Sequence, residues 1–266
     1  MHKVTGYPDG VFCWVDLATT DVAGAKSFYS QLFGWEAGEQ PTDGGMPYTT
    51  FRLNGLTVAG MGELMPEQRE QGVPPSWSSY VKHDDADAIA ARITGAGGNL
   101  LVPPMDVMEE GRFLMAQDPT GAVFGVWQPR QHTGAQLVNA PNCLVWNELQ
   151  TREVDAAIRF YEEVFGWTGT VGDTGYVRLA ASGRSQAGIW PIAEGREGVP
   201  SHWAVYFLVD DVAGTLRRAE SLGATTVVPE TAFDEQSSFA VLQDPQGAYF
   251  QIVHWPAEWV DPPPGA

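Results

Sequence analysis

The chain spells nearly the same word twice. FYSQLFGW runs from 28 to 35 and FYEEVFGW from 160 to 167, an offset of 132 residues. The match extends far beyond that word. Residues 11–35 lie over 143–167, so that Trp14 meets Trp146 and Asp16 meets Glu148. Residues 48–62 lie over 176–190, with Asn54-Gly55 and Ser182-Gly183 placed as hairpin turns. Residues 77–104 lie over 203–230, and 113–127 over 239–253. The offset drifts from 132 to 126, as loop insertions and deletions require. Two copies are too few for a solenoid. They imply a duplicated domain with pseudo-twofold symmetry, divided as 1–128, a linker at 129–141, 142–255, and a tail at 256–266.

Each copy reads as strand, helix, strands, and then the same order again. Val11, Cys13, Val15 and Leu17 alternate with Phe12, Trp14 and Asp16, the period of a strand. A helix follows, capped by Thr20 or Asp21, with Ala25, Phe28, Tyr29 and Leu32 at helical spacing and Gly34 as its stop. Second helices are expected over 86–94 and 212–222, closed by the GAGG run at 95–98 and by Gly223. The proline-bearing segments 66–77 and 193–203 read as connectors or as gates to a site. Trp255 or Trp259 is expected to anchor the tail.

Charge and composition narrow the partners. A net charge of −18 repels phosphates, which argues against nucleic acid and favours a cationic ligand. No apolar run is long enough to span a bilayer, and the start lacks a basic-then-apolar leader, so a cytoplasmic protein is expected. Cys13 and Cys143, the two cysteines, sit in apolar strands and read as buried reduced thiols.

The FY…LFGW helix end, the FLVDDV run before a second helix, and DPxGxxF leading into a last strand occur together and twice over. They resemble the vicinal oxygen chelate superfamily of glyoxalases, bleomycin-resistance proteins and extradiol dioxygenases. The double-length layout is similar to its tandem actinobacterial subgroup. The resemblance implies an α+β fold of four βαβββ modules in two paired glyoxalase-like domains, each curling a sheet around a cavity. Fold does not fix function.

In that superfamily a divalent ion is usually held by His and Glu side chains. The resemblance places those ligands at Trp14, Ser78 and Gly125 in the first copy, and at Trp146, Ala204 and Gln251 in the second. An indole nitrogen has no free lone pair, glycine and alanine carry no donor, and neutral Ser or Gln is a poor substitute. His2, His83, His132, His202 and His254 fall at the terminus, in the linker or off register. Neither a metal nor another cofactor is expected.

Positions sharing parity with the lost ligands should line the cavities. They include Phe12, Trp14, Asp16, Tyr80 and Trp127 in the first copy, and Trp146, Glu148, Tyr206, Tyr249 and Gln251 in the second. Indoles stack on flat rings and attract cations, and a neighbouring carboxylate orients an ammonium. Trp14 and Trp146 either line the cavity or plug the old metal pocket. Asp16 and Glu148 either contact a ligand, perform acid-base work or bond to nearby backbone. Trp77 and Trp203 either line the rim or brace the core.

Three functions are consistent with this pattern. The first is a metal-free binder of a planar aromatic, cationic or neutral, such as an antibiotic or anthracycline-like polyketide, serving sequestration, resistance or biosynthesis. The second is a metal-independent hydroxylase, isomerase or lyase acting on an aromatic polyketide, with Asp16 or Glu148 as base and Tyr80 or Tyr206 polarising a carbonyl. The third is a metal-dependent glyoxalase-like lyase. Since the duplication supplies the pairing a single copy would obtain by dimerising, the chain is expected to be a monomer or a homodimer.

Overall fold

The computed structural model describes residues 3–40, 47–181, 183–257 and 260. The first copy runs β1 (Phe12–Thr19), α1 (Val22–Phe33), β2 (Glu36–Gln40), β3 (Tyr48–Leu53), β4 (Leu56–Glu63), α2 (Pro66–Glu70), β5 (Ser76–Lys82), α3 (Ala86–Gly95), β6 (Asn99–Val107), β7 (Gly111–Gln117) and β8 (Val123–Pro129). The second copy runs β9 (Leu144–Thr151), α4 (Val154–Phe165), β10 (Thr168–Val171), β11 (Val177–Ala181), β12 (Arg184–Pro191), β13 (His202–Leu208), α5 (Val212–Ser221), β14 (Thr225–Ala232), β15 (Ser238–Gln243) and β16 (Tyr249–His254).

Each copy forms one eight-stranded mixed sheet, ordered β2-β3-β4-β1-β5-β8-β7-β6 and β10-β11-β12-β9-β13-β16-β15-β14. In the first, β1 lies parallel to β4 and β5 parallel to β8, closing one βαβββ module each. The modules meet where β1 runs antiparallel to β5. The second sheet repeats these pairings through β9, β12, β13 and β16. Among the described residues no helix is long and apolar enough to cross a membrane.

Local chemistry sets the ends of the elements. The Asp21 carboxylate caps α1 by accepting from the Gly24 amide at 2.9 Å. Gly34 and Gly166 close α1 and α4 in the left-handed region, at φ of +72° and +71°, where a Cβ is disfavoured. Asn54 and Gly55 both have positive φ, as the tight β3–β4 hairpin needs. Ser182, expected in the matching turn, lies outside the described residues, as does Trp259.

The repeated word joins the two domains. Helix α1 packs on the second sheet, with Phe28 against Phe250 at 6.1 Å between ring centroids and Phe33 against Phe207 at 5.2 Å. Helix α4 packs on the first sheet, with Phe160 and Phe165 against Phe124. Trp35 Nε1 donates to the Asn142 carbonyl at 2.8 Å, and Trp167 Nε1 to the Gly10 carbonyl at 2.7 Å.

A buried relay crosses the interface twice. Trp77 Nε1 donates to the Tyr29 hydroxyl at 3.0 Å, which donates to Asp244 Oδ2 at 2.9 Å. Trp203 Nε1 donates to the Tyr161 hydroxyl at 2.7 Å, which donates to Asp118 Oδ2 at 2.9 Å. Each aspartate spends its other oxygen on the backbone of its own DPxG turn, accepting from the Ala122 and Ala248 amides. The FY and DPxG motifs are therefore two halves of one interdomain contact, and Trp77 and Trp203 brace the core.

The segment read as a linker is built into this core. Ala135, Leu137 and Val138 are buried, and Ala135 donates its amide to the Cys13 carbonyl at 2.8 Å. The Tyr7 hydroxyl donates to the Ala135 carbonyl at 2.7 Å from the other side. Cys13 and Cys143 are buried free thiols, and burial pushes both well above the usual thiol range.

Candidate functional site

The two sheets carry the same polar cluster on the face where the superfamily resemblance places its ligands. In the first domain, Trp14 Nε1 donates to the Tyr48 hydroxyl at 3.0 Å, and Tyr48 donates to Asp16 Oδ2 at 3.1 Å. The Tyr80 hydroxyl donates to Asp16 Oδ1 at 3.2 Å. In the second domain, Trp146 Nε1 donates to the Tyr176 hydroxyl at 2.9 Å, and Tyr206 donates to Glu148 Oε1 at 2.9 Å. The Gln150 amide adds a longer bond to the same oxygen, at 3.4 Å.

Strand registry explains the assembly. Trp14 pairs with Tyr80 across β1 and β5, and Trp146 with Tyr206 across β9 and β13. Gly60 faces Asp16 on β4, and Gly188 faces Glu148 on β12. A methyl at either glycine would overlap the hydroxyl of Tyr48 or Tyr176, so the missing side chain is the room each tyrosine occupies. Gly188→Ala is therefore expected to displace Tyr176 and cost roughly 1–3 kcal/mol of stability, the usual range for overpacking. Thermal denaturation checks this, and an unchanged midpoint would contradict the assigned packing.

Burial shapes the acids. Glu148 is 9% exposed, and burial pushes its pKa up to about 7 against the opposing hydrogen bonds of Tyr206, Gln150 and Tyr176. Asp16 is raised to about 6 by burial, with the Tyr48 and Tyr80 hydroxyls pulling the other way. The surrounding phenols of Tyr48, Tyr80 and Tyr206 are pushed well above their ordinary range, first by burial and then by the adjacent carboxylate. They remain donors. The clusters thus offer protonated phenols around a carboxyl group that titrates near neutrality.

Other expected positions fall differently. A β-bulge between Phe12 and Trp14 breaks the period-two alternation and takes Phe12 off the face of Trp14. Phe12 packs instead against Trp167 and Trp203, at 5.5 and 5.1 Å between ring centroids. The second sheet repeats the irregularity between Leu144 and Trp146. Tyr249 begins β16 and is 53% exposed, outside the cluster. Gln251 is buried beside Tyr206, and its side-chain oxygen has no hydrogen-bond partner among the described residues.

Three participants escaped the sequence reading. Tyr48 and Tyr176 were visible as aligned residues, each twelve before its glycine, but lie on strands with no assigned ligand. His132 belongs to the segment that the sequence marks as a linker. Its ring meets Trp14 edge to face at 4.4 Å and Trp127 at 5.5 Å, while Trp127 Nε1 donates to the His132 carbonyl at 2.8 Å. Burial lowers the imidazole to about 4, so it is neutral at physiological pH.

The residues at the implied metal positions do not fit a divalent ion. Among the described residues no three His, Cys, Asp or Glu side chains group together as a metal site. The Trp14 and Trp146 nitrogens are spent as donors to tyrosine. His83, His202 and His254 hold backbone groups elsewhere, at Asp85, Pro200 and Val209. A cleft of about 120 Å³ opens against Trp146 and Trp255, bordered by Phe12, Leu144 and Arg184.

Comparison with known proteins agrees with this architecture. Residues 12–126 match the Glyoxalase/Bleomycin resistance protein/Dioxygenase superfamily, and residues 146–253 match the Glyoxalase-like domain. The chain is 39% identical over 257 residues to the putative glyoxylase CFP32 of Mycobacterium tuberculosis (strain CDC 1551 / Oshkosh), covering 95% of this chain and 98% of that one. It is 36% identical over 265 residues to the anthracycline biosynthesis protein DnrV of Streptomyces peucetius, covering 94% and 95%. The Mn(II)-bound glyoxalase from Novosphingobium aromaticivorans superposes with a TM-score of 0.64 at 17% identity, covering 93% of this chain and 83% of that one. The 2,3-dioxygenase LapB from Pseudomonas sp. KL28 gives 0.61 at 14% identity, covering 96% and 95%. At these identities the structural likeness is one of fold.

Proposed function

The chain belongs to the glyoxalase/bleomycin resistance protein/dioxygenase superfamily, and from that footing we propose that it binds a planar aromatic small molecule without a metal ion. The observation that carries this reading is the tryptophan-tyrosine-carboxylate cluster built in both domains around Trp14 and Trp146, two of the positions where the resemblance implies metal ligands. The Trp146 N–H is occupied by Tyr176, which fixes the indole and leaves its face as a stacking surface. Glu148, once ionised, attracts an ammonium or hydroxyl on the same ligand. A relative bearing the name of an anthracycline biosynthesis protein supports a flat polyketide chromophore as the ligand class. Sequestration, resistance or an accessory step in biosynthesis would each use such binding.

The test is a titration with an anthracycline glycoside bearing an amino sugar and with its aglycone, followed by tryptophan fluorescence and native mass spectrometry. Saturable quenching in the micromolar range or below is expected, equivalent to about −8 kcal/mol or better. The ligand should be recovered with its mass unchanged. Quenching that never saturates would remove the binding role.

A second reading has its own observation. Glu148 titrates at about 7 with a phenol donating to it at 2.9 Å, which suits a general acid-base pair. A metal-independent isomerase or lyase acting on the same ligand class would lose turnover in Glu148→Gln while still binding. Recovery of a changed product in the titration above would favour it.

A further inference from the structure

The two clusters match in plan but differ in what fills the space beside them. In the first domain, His132 packs edge to face with both Trp14 and Trp127, and its Nε2 has no hydrogen-bond partner among the described residues. Its backbone is pinned by the Trp127 indole and by the Glu110 carbonyl, which accepts its amide at 3.0 Å. Trp14 is 4% exposed. The chain's own imidazole thus packs against the indole of the first cluster, which is buried.

The second domain covers the matching indole less tightly. Trp146 is only half-buried and borders the cleft of about 120 Å³. Its neighbour there, Trp255, meets it edge to face at 6.0 Å and lies beyond the end of β16, where no strand pairing holds it. Outside the cleft lining, the residue paired with the cluster tyrosine also differs. Gly125 in the first domain is covered by the Tyr80 ring, whereas its counterpart Gln251 presents a buried amide oxygen lacking a donor. An acceptor left unpaired inside a protein costs roughly 1–3 kcal/mol. A ligand that donates to it recovers that loss.

We propose that the second domain holds the working site and takes an aromatic ligand bearing an N–H or O–H donor, while His132 fills the matching site of the first domain. This rests on the binding role proposed above. The ring stacks on Trp146, and its donor reaches the Gln251 amide oxygen beside Glu148. A cleft of about 120 Å³ is well below the roughly 300–1,000 Å³ of a drug-sized site, and Glu148 and Gln251 lie outside its lining, so a polycyclic ligand reaches them only by moving Trp255 off Trp146.

The experiment is calorimetric titration of the full chain with the amino-sugar anthracycline, together with indole ¹⁵N NMR of the wild-type protein. One molecule per chain is expected. The indole signals of Trp146 and Trp255 should shift while those of Trp14 and Trp127 stay in place. Gln251→Leu should weaken binding tenfold or more without lowering thermal stability. Two equivalent sites, shifts centred on Trp14, or full affinity in Gln251→Leu would overturn the assignment while leaving the binding role intact. A wild-type chain that binds no anthracycline removes both. The NMR result stands on the wild type, so it decides the matter even where the variant fails to fold.

Discussion

Trp167→Ala is expected to destabilise the protein by about 3–5 kcal/mol, the range for deleting a large buried aromatic. Trp167 is fully buried at the end of α4 and touches Phe12, Tyr161, Phe165 and Trp203. Its indole N–H is bound to the Gly10 carbonyl at 2.7 Å, a contact between the second domain and the start of the first. Trp167→Phe separates the two contributions. It keeps most of the apolar contact but leaves the Gly10 carbonyl without its donor, at a cost of roughly 1–3 kcal/mol. Because the removed ring lies between domains, the alanine variant should also broaden the urea transition as the two sheets begin to unfold separately. Equilibrium denaturation measures both effects. A loss under about 1 kcal/mol with an unbroadened transition would show that the repeated FYxxxFGW word is not the interdomain contact described above.

How much of this was legible beforehand follows from what each residue's partner is. The duplicated fold was readable because alternation, helical spacing and glycine stops are local signals. Asp21 as cap and Gly34 as stop needed no tertiary information. The acids Asp16 and Glu148 were readable because one strand's parity placed them beside Trp14 and Trp146. Phe12 was misplaced by the same parity, since a bulge one residue away resets the alternation and no residue type there announces it. Tyr48 and Tyr176 reach the acids across Gly60 and Gly188, a contact between strands that only the pairing of β1 with β4 and β9 with β12 creates. His132 was out of reach for a different reason. A linker residue's destination depends on the path of the whole segment, here fixed by backbone bonds from Ala135 to Cys13 and from His132 to Glu110. The relays from Tyr29 to Asp244 and from Tyr161 to Asp118 span 215 and 43 residues, and nothing local to either motif points to its partner.

Stability is expected to fall as pH rises from about 4 to 8, through the two cluster carboxylates. Their folded pKa values, about 6 for Asp16 and about 7 for Glu148, exceed the ordinary values of 3.8 and 4.5. Between those limits the folded chain holds protons that the unfolded chain has released. The contribution is therefore fully present below the unfolded pKa and lost as pH climbs through the folded one. Each shift corresponds to about 3 kcal/mol on the scale of 1.36 kcal/mol per pKa unit. Exposed acids such as Glu39 and Asp106, which ion pairs hold below their usual range, act in the opposite direction but weakly. The difference between wild type and the Asp16→Asn, Glu148→Gln double variant isolates the buried pair. It should be small at pH 3, where both acids are largely protonated in the folded and unfolded chain, and should favour the variant by several kcal/mol at pH 8, where the amides cannot charge. Urea titrations at both values measure it, and a difference that does not change with pH would mean the carboxylates ionise freely in the fold. The expected outcome bears on function as well. A carboxylate that burdens the fold at neutral pH gains most from a donor or cation brought beside it, so ligand binding at Glu148 should tighten with pH across the same range in which the unliganded protein weakens.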